Sequence, residues 1–155
     1  MQTKSRFSLM AAAILAVVGL FVLQGSAAAT SGNSRSTTLR FHVVFQPFNL
    51  IDVGAPGFSD GDEIVFHDQL STGGHPAGDE LGSCVTVDAA VALTNCTMVI
   101  RLPEGNIAAA FPNSPPPVKE LAVTGGTGQF RTVHGEGTLV EAGDGTATLT
   151  LHLVR

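Results

Sequence analysis

Tryptophan and tyrosine are absent from this sequence, and lysine and arginine together number only eight in 155 residues. After Arg6 no basic cluster exists, and no Trp or Tyr is present to stack on bases, so a nucleic-acid partner is not expected. Cysteine is nearly absent too. Cys84 and Cys96 alone cannot close a tetrahedral zinc site without further ligands, and no histidine stands at a suitable short spacing. His42, His67, His75 and His152 show no ligand spacing either, so neither a metal nor another cofactor is expected. No Gly-x-Ser-x-Gly elbow occurs. Gly125, Gly126 and Gly128 are not followed by a lysine in Walker spacing and enter a strand pattern, which argues against a phosphate loop. Long charge runs are also missing, and helical periodicity is missing after residue 30.

One apolar run is present, at the amino end. Lys4 and Arg6 precede it, Leu9 to Leu23 carry no charge, and Ser26-Ala27-Ala28-Ala29 supplies small residues with Ala27-x-Ala29 as the cleavage frame. The run is about 15 residues, short of the ~20 that span a bilayer as a helix. Residues 1–29 therefore read as a signal peptide, and residues 30–37 as a flexible amino-terminal segment. No cysteine follows the run to serve as a lipid anchor. Cleavage after Ala29 would leave 126 residues with 13 acidic and six basic side chains. That length suits one domain, residues 38–155, with one core. The expected compartment is extracellular or cell envelope, with no membrane association after cleavage. In that oxidising space Cys84 and Cys96 are expected to form a disulfide, closing a short loop and adding about 2–3 kcal/mol.

The rest of the chain reads as short apolar or alternating runs punctuated by Gly, Pro, Asp and Asn. Strands are expected over Thr38–Phe45, Glu63–Leu70, Ser83–Asp88, Thr94–Leu102, Asn106–Phe111, Lys119–Thr124, Phe130–Val140 and Thr146–Val154. Pro47–Gly61, Gly73–Gly82 and Pro112–Pro117 read as loops. The fold class is thus all-β: an eight-stranded antiparallel up-and-down β-barrel, with an open β-sandwich as the alternative. A hairpin centred near Ala90 puts Cys84 opposite Cys96 with one facing, as a cross-strand bridge needs.

Three segments carry a family resemblance. Gly61-Asp62-Glu63-Ile64-Val65-Phe66-His67-Asp68-Gln69-Leu70 resembles the second-strand motif of plant allene oxide cyclases, and Gly82-Ser83-Cys84 resembles the start of their next strand. Ala122-Val123-Thr124-Gly125-Gly126-Thr127-Gly128-Gln129-Phe130, followed by Gly135, resembles a signature shared by those cyclases and plant dirigent proteins. The resemblance covers about residues 38–154 and implies the closed barrel. It also implies a cofactor-independent isomerase or cyclase, or a non-catalytic dirigent-like barrel, acting on a small hydrophobic polyene, epoxide or quinone-type molecule. Relatives of both families form trimers, so the implied assembly is a homo-oligomer. The cyclases open an epoxide with a carboxylate and an amide on the first strand. Val43 and Phe45 occupy those positions here, so the cyclase's own acid is missing. Asp68 stands where the cyclases carry an Asn and dirigent proteins an Asp, with Leu70 following as in the latter. His134 stands where dirigent proteins carry an Arg.

Asp68, His134 and Glu136 are accordingly the candidate catalytic groups. Asp68 shares a face with Ile64, Phe66 and Leu70; a carboxyl buried there has a raised pKa suited to general acid work. His134 shares parity with Phe130, Thr132 and Glu136 and could donate to a carbonyl or epoxide oxygen. The plainer readings are an Asp68 that caps a strand end, a hydrogen-bonded structural His134 and a solvated Glu136. Arg131 has the outward parity. Phe41, Val43, Phe45, Phe66, Thr86 and Met98 are the candidate ligand-binding residues, with ordinary core as the alternative for each.

Overall fold

A computed structural model describes residues 35–115 and 117–155. The signal-peptide segment and residues 30–34 lie outside the described residues. The strands are β1 (Ser36–Val44), β2 (Asn49–Ile51), β3 (Glu63–Thr72), β4 (His75–Asp88), β5 (Leu93–Leu102), β6 (Gly105–Asn113), β7 (Val118–Gly126), β8 (His134–Glu141) and β9 (Thr146–Val154). All pair antiparallel, each with its neighbour from β3 to β9, and β1 returns to pair with both β9 and β3. That closes the sheet into a barrel of eight long strands, and β2 is a short addition along β3. Closure removes the free edges an open sheet would expose and decides against the sandwich.

The alternation expected from the sequence is what fills the barrel. Val43, Leu70, Ile100, Ile107, Leu149, Leu151 and Leu153 are each at most 2% exposed and point inward. Between them lie outward residues such as His42, Arg101 and His152, all exposed. Residues Gly128–Phe130 form a single 3-10 turn after β7. The turn docks on the β5–β6 hairpin through Gln129 N–H to Glu104 O (2.9 Å) and Thr127 N–H to Asn106 O (2.8 Å). Phe130 is thereby buried in the core, at the end of the barrel where β7 finishes. Gly126 is required there, because a Cβ would lie 2.7 Å from the Phe130 carbonyl oxygen. The glycine motif is thus a packing device.

Five expected boundaries change. Residues 36–37, expected in the flexible amino-terminal segment, open β1 and pair with β9. Pro47–Gly61 is not loop throughout, because Asn49–Ile51 pair with β3 as β2. Gly73–Gly82 is not a loop. Gly73 and Gly74 both have positive φ (58° and 80°) and make a two-residue turn, after which β4 starts at once. Such a turn matches the twist of the flanking strands. Phe130–Val140 is not one strand, since the 3-10 turn occupies its first residues and β8 begins at His134. β6 runs on through Pro112 to Asn113. The proline is tolerated because the β6–β7 ladder stops at Ala110, leaving the strand unpaired on that side. Cys84 and Cys96 face each other in the β4–β5 register and are joined in a disulfide, as expected.

Candidate functional site

The barrel wall is interrupted along β3. β1 pairs with β3 only as far as Val44 and Gln69, and β2 takes over from Asn49 and Val65. No ladder pair bridges Phe66, His67 and Asp68 on that side. Asp68 points inward at this break and is 5% exposed. Its Oδ1 accepts a hydrogen bond from the Gln46 N–H at 2.7 Å, where the chain leaves β1. Burial pushes the Asp68 carboxyl above the usual range, and the Gln46 bond offsets part of that rise.

Behind the break lies a cavity of about 570 Å³, within the range of small-molecule sites. Phe45, Phe66, Met98, Phe111 and Leu139 give it apolar walls, with the Cys84 half of the disulfide among them. Asp68, Glu80, Lys119 and Glu141 also line it. Glu80 is 2% exposed and faces Asp68 directly across the β3–β4 ladder. Its Oε2 has no hydrogen-bond partner among the described residues. Burial, reinforced by the negative charge of Asp68, pushes the Glu80 carboxyl up to about 8. Lys119 is buried on β7; its Nζ donates to the Ser114 carbonyl oxygen at 2.7 Å and lies 3.7 Å from Glu141 Oε1. A second chamber of about 420 Å³ shares Ile64, Asn113, Lys119 and Glu141 with the first. The second chamber is also lined by Phe58, in the loop after β2. There the fully buried Asp62 carboxylate accepts backbone N–H bonds from Val53 (2.9 Å), Gly54 (3.3 Å) and Ser59 (2.7 Å). These bonds hold Asp62 below its ordinary pKa.

The structure brings together four of the expected site residues: Asp68, Phe45, Phe66 and Met98. Phe41, Val43 and Thr86 are buried but do not line the cavity. Phe41 and Val43 belong to the packed core. Thr86 is tied to the Asp62 loop through its backbone N–H to Asp62 O (2.8 Å). His134 and Glu136 are exposed on the outer face of β8, and Leu139 and Glu141 take its inner positions. The expectation that His134 shares the lumen with Phe130 fails because Phe130 closes the 3-10 turn and is not in the strand that His134 opens. Strand parity cannot be counted across a turn. His134 also opens β8, whereas the cavity is lined by that strand's other end.

Glu80 and Lys119 are the functional candidates that sequence reasoning missed. Glu80 sits in Gly73–Gly82, whose Gly, Pro and Asp content reads as loop. The usable signal was the Gly-Gly pair between two alternating runs, which marks a tight hairpin. Lys119 alternates with Leu121 and Val123 on one face of β7, and all three are buried. A larger, shallower depression of about 790 Å³ lies across the outer faces of β3 to β7. Asp79 is near its rim, bound by the Arg101 guanidinium and by His67 (2.8 Å), and Arg101 holds its carboxyl down at about 2.

This barrel has known structural counterparts. Pyocyanin demethylase is similar with a TM-score of 0.68 and 28% sequence identity, over 76% of this chain and 99% of that one. A pterocarpan synthase dirigent protein is similar with a TM-score of 0.59 and 18% identity, over 78% of this chain and 89% of that one. The Diels-Alderase AbmU from Streptomyces koyangensis is similar with a TM-score of 0.63 and 12% identity, over 77% of this chain and 63% of that one. The fold is therefore the eight-stranded barrel of the dirigent and allene oxide cyclase type. No family model and no curated protein sequence matches the chain.

Proposed function

We propose that this protein is an exported, cofactor-independent isomerase or cyclase that holds a small hydrophobic substrate in the barrel lumen, with Asp68 handling a proton. The observation that carries the reading is the cavity of about 570 Å³, apolar on most sides, with the buried Asp68 carboxyl in its wall. Such a site can act by fixing a reactive shape and moving one proton at a defined atom. A demethylase and Diels-Alderases on similar barrels support a catalytic role. Export rests on the amino-terminal segment and on the disulfide, a bond that persists in oxidising compartments. The outer depression bordered by Val65, Leu81 and Val99 is the surface on which copies of the chain would associate.

Native mass spectrometry of the protein purified from its own culture medium tests export, assembly and a retained ligand together. Pyocyanin is the first compound to offer, because the barrel at 28% identity is named for demethylating it. In the catalytic reading, Asp68→Asn loses turnover while ligand affinity survives. A second reading, non-catalytic dirigent-like binding, is favoured by Asp68 followed by Leu70 and by the dirigent structures. It is the correct one if a bound ligand leaves the parent protein unchanged.

A further inference from the structure

We propose that Asp68 and Glu80 form a one-proton carboxyl pair, and that this pair selects an apolar ligand carrying a hydrogen-bond acceptor beside a donor, such as a cyclic amide or an enolised carbonyl. The inference rests on the reading above that the lumen is the ligand site. It goes further by naming a second proton-bearing group and the ligand's polar pattern.

Three observations meet here. Asp68 and Glu80 are paired directly across the β3–β4 ladder, which places opposite side chains within about 5 Å at Cβ. Both line the same cavity and both are buried. Their partners differ: Asp68 accepts the Gln46 N–H at 2.7 Å, whereas Glu80 Oε2 has no partner among the described residues. Two adjacent buried carboxyls do not both ionise readily. The N–H bond favours the charge on Asp68, and the proton therefore resides on Glu80. The high Glu80 pKa agrees with that assignment. The other charged groups facing the cavity are Lys119 on β7 and Glu141 on β8, 3.7 Å apart.

A neutral Glu80 presents an O–H donor, and the Asp68 carboxylate presents an acceptor. Their complement is a ligand with a carbonyl oxygen next to an N–H or O–H. The pair can also move protons without outside help. Glu80 gives its proton to the carbonyl oxygen, forming an O–H bond, while Asp68 takes the proton from the neighbouring N–H or O–H. The ligand becomes its tautomer and the pair keeps one proton, now on Asp68. Return of that proton to Glu80 resets the site.

Displacement of Nile red from the full protein tests the ligand pattern, with carbostyril (a neutral lactam) and its N-methyl derivative as probes. Carbostyril should displace the dye about tenfold more tightly than the N-methyl compound, a difference of one good hydrogen-bonded contact. Both probes should bind more weakly as Glu80 ionises above about pH 8 and stops donating to their shared carbonyl oxygen, and both should keep their affinity there in Glu80→Gln, whose amide still donates. Infrared titration supplies an arm that needs no ligand. One neutral carboxyl band should survive at neutral pH, vanish in Glu80→Gln, and titrate at lower pH in Asp68→Asn. A wild type with no such band, or a band retained in Glu80→Gln, overturns the pair. Equal displacement by the two probes also overturns it and leaves the lumen reading standing. Dye binding that neither probe disturbs overturns both.

Discussion

Glu80 is a costly residue to bury, and its cost depends on pH. Its folded pKa of about 8 lies above the ordinary 4.5, so between those values the folded state holds a proton that the unfolded state has released. Stability therefore falls as pH rises from about 4.5 to about 8 and is flat in this respect above that. The full shift corresponds to roughly 5 kcal/mol as an upper bound. Asp62 acts in the opposite sense: its lowered pKa gives stability that is present above its unfolded value of 3.8 and lost as pH falls through its folded one. Glu80→Gln should flatten the decline between pH 4.5 and 8, read from urea midpoints across that range. An unchanged slope would mean the carboxyl is solvated. Two other residues test the site's limits. His134 and Glu136 are exposed on the outer face of β8. His134→Ala and Glu136→Ala should leave Nile red affinity within about twofold, since neither touches the lumen. A tenfold loss in either variant would return them to the site.

At the scale of elements, the β3–β4 hairpin decides the chemistry. Its turn is set by Gly73 and Gly74, but a bulge between Leu70 and Ser71 shifts the pairing by one residue. Without that shift Asp68 would face Asp79, and Glu80 would point outward into solvent. Asp79 instead lies outside with Arg101 and His67. The hairpin itself was legible in the Gly-Gly pair; the bulge was not, because a one-residue insertion leaves no mark in composition. The neighbouring β4–β5 hairpin carries the Cys84–Cys96 disulfide, 12 residues apart in sequence. Replacing both cysteines by serine should cost about 2–3 kcal/mol in a denaturant titration. A larger loss would mean that the bridge also supports the cavity wall, where Cys84 lies.

Taken as a whole molecule, the barrel is asymmetric along its axis. One end is filled, with Phe130 packed against the core. The other carries the cavity, bordered by the ends of β1, β6 and β8 and the starts of β3 and β7. Phe130→Ala should therefore lower stability by about 3–5 kcal/mol and leave ligand affinity intact at temperatures where the variant remains folded. Thermal melts with and without Nile red separate the two effects, and a parallel loss of affinity would show that the ends are coupled. The sequence by itself determined the eight long strands, though not the short β2, together with the disulfide and the face that Asp68 shares with Ile64, Phe66 and Leu70, since each depends on local alternation with period two. Tertiary structure alone decided the rest. Closure followed from β1 pairing with both β9 and β3, contacts between distant segments. The facing of Glu80 followed from a bulge, and the exclusion of His134 from a turn that breaks parity. Alternation is a local property; register and closure are not, and the candidate site lies where register and closure meet.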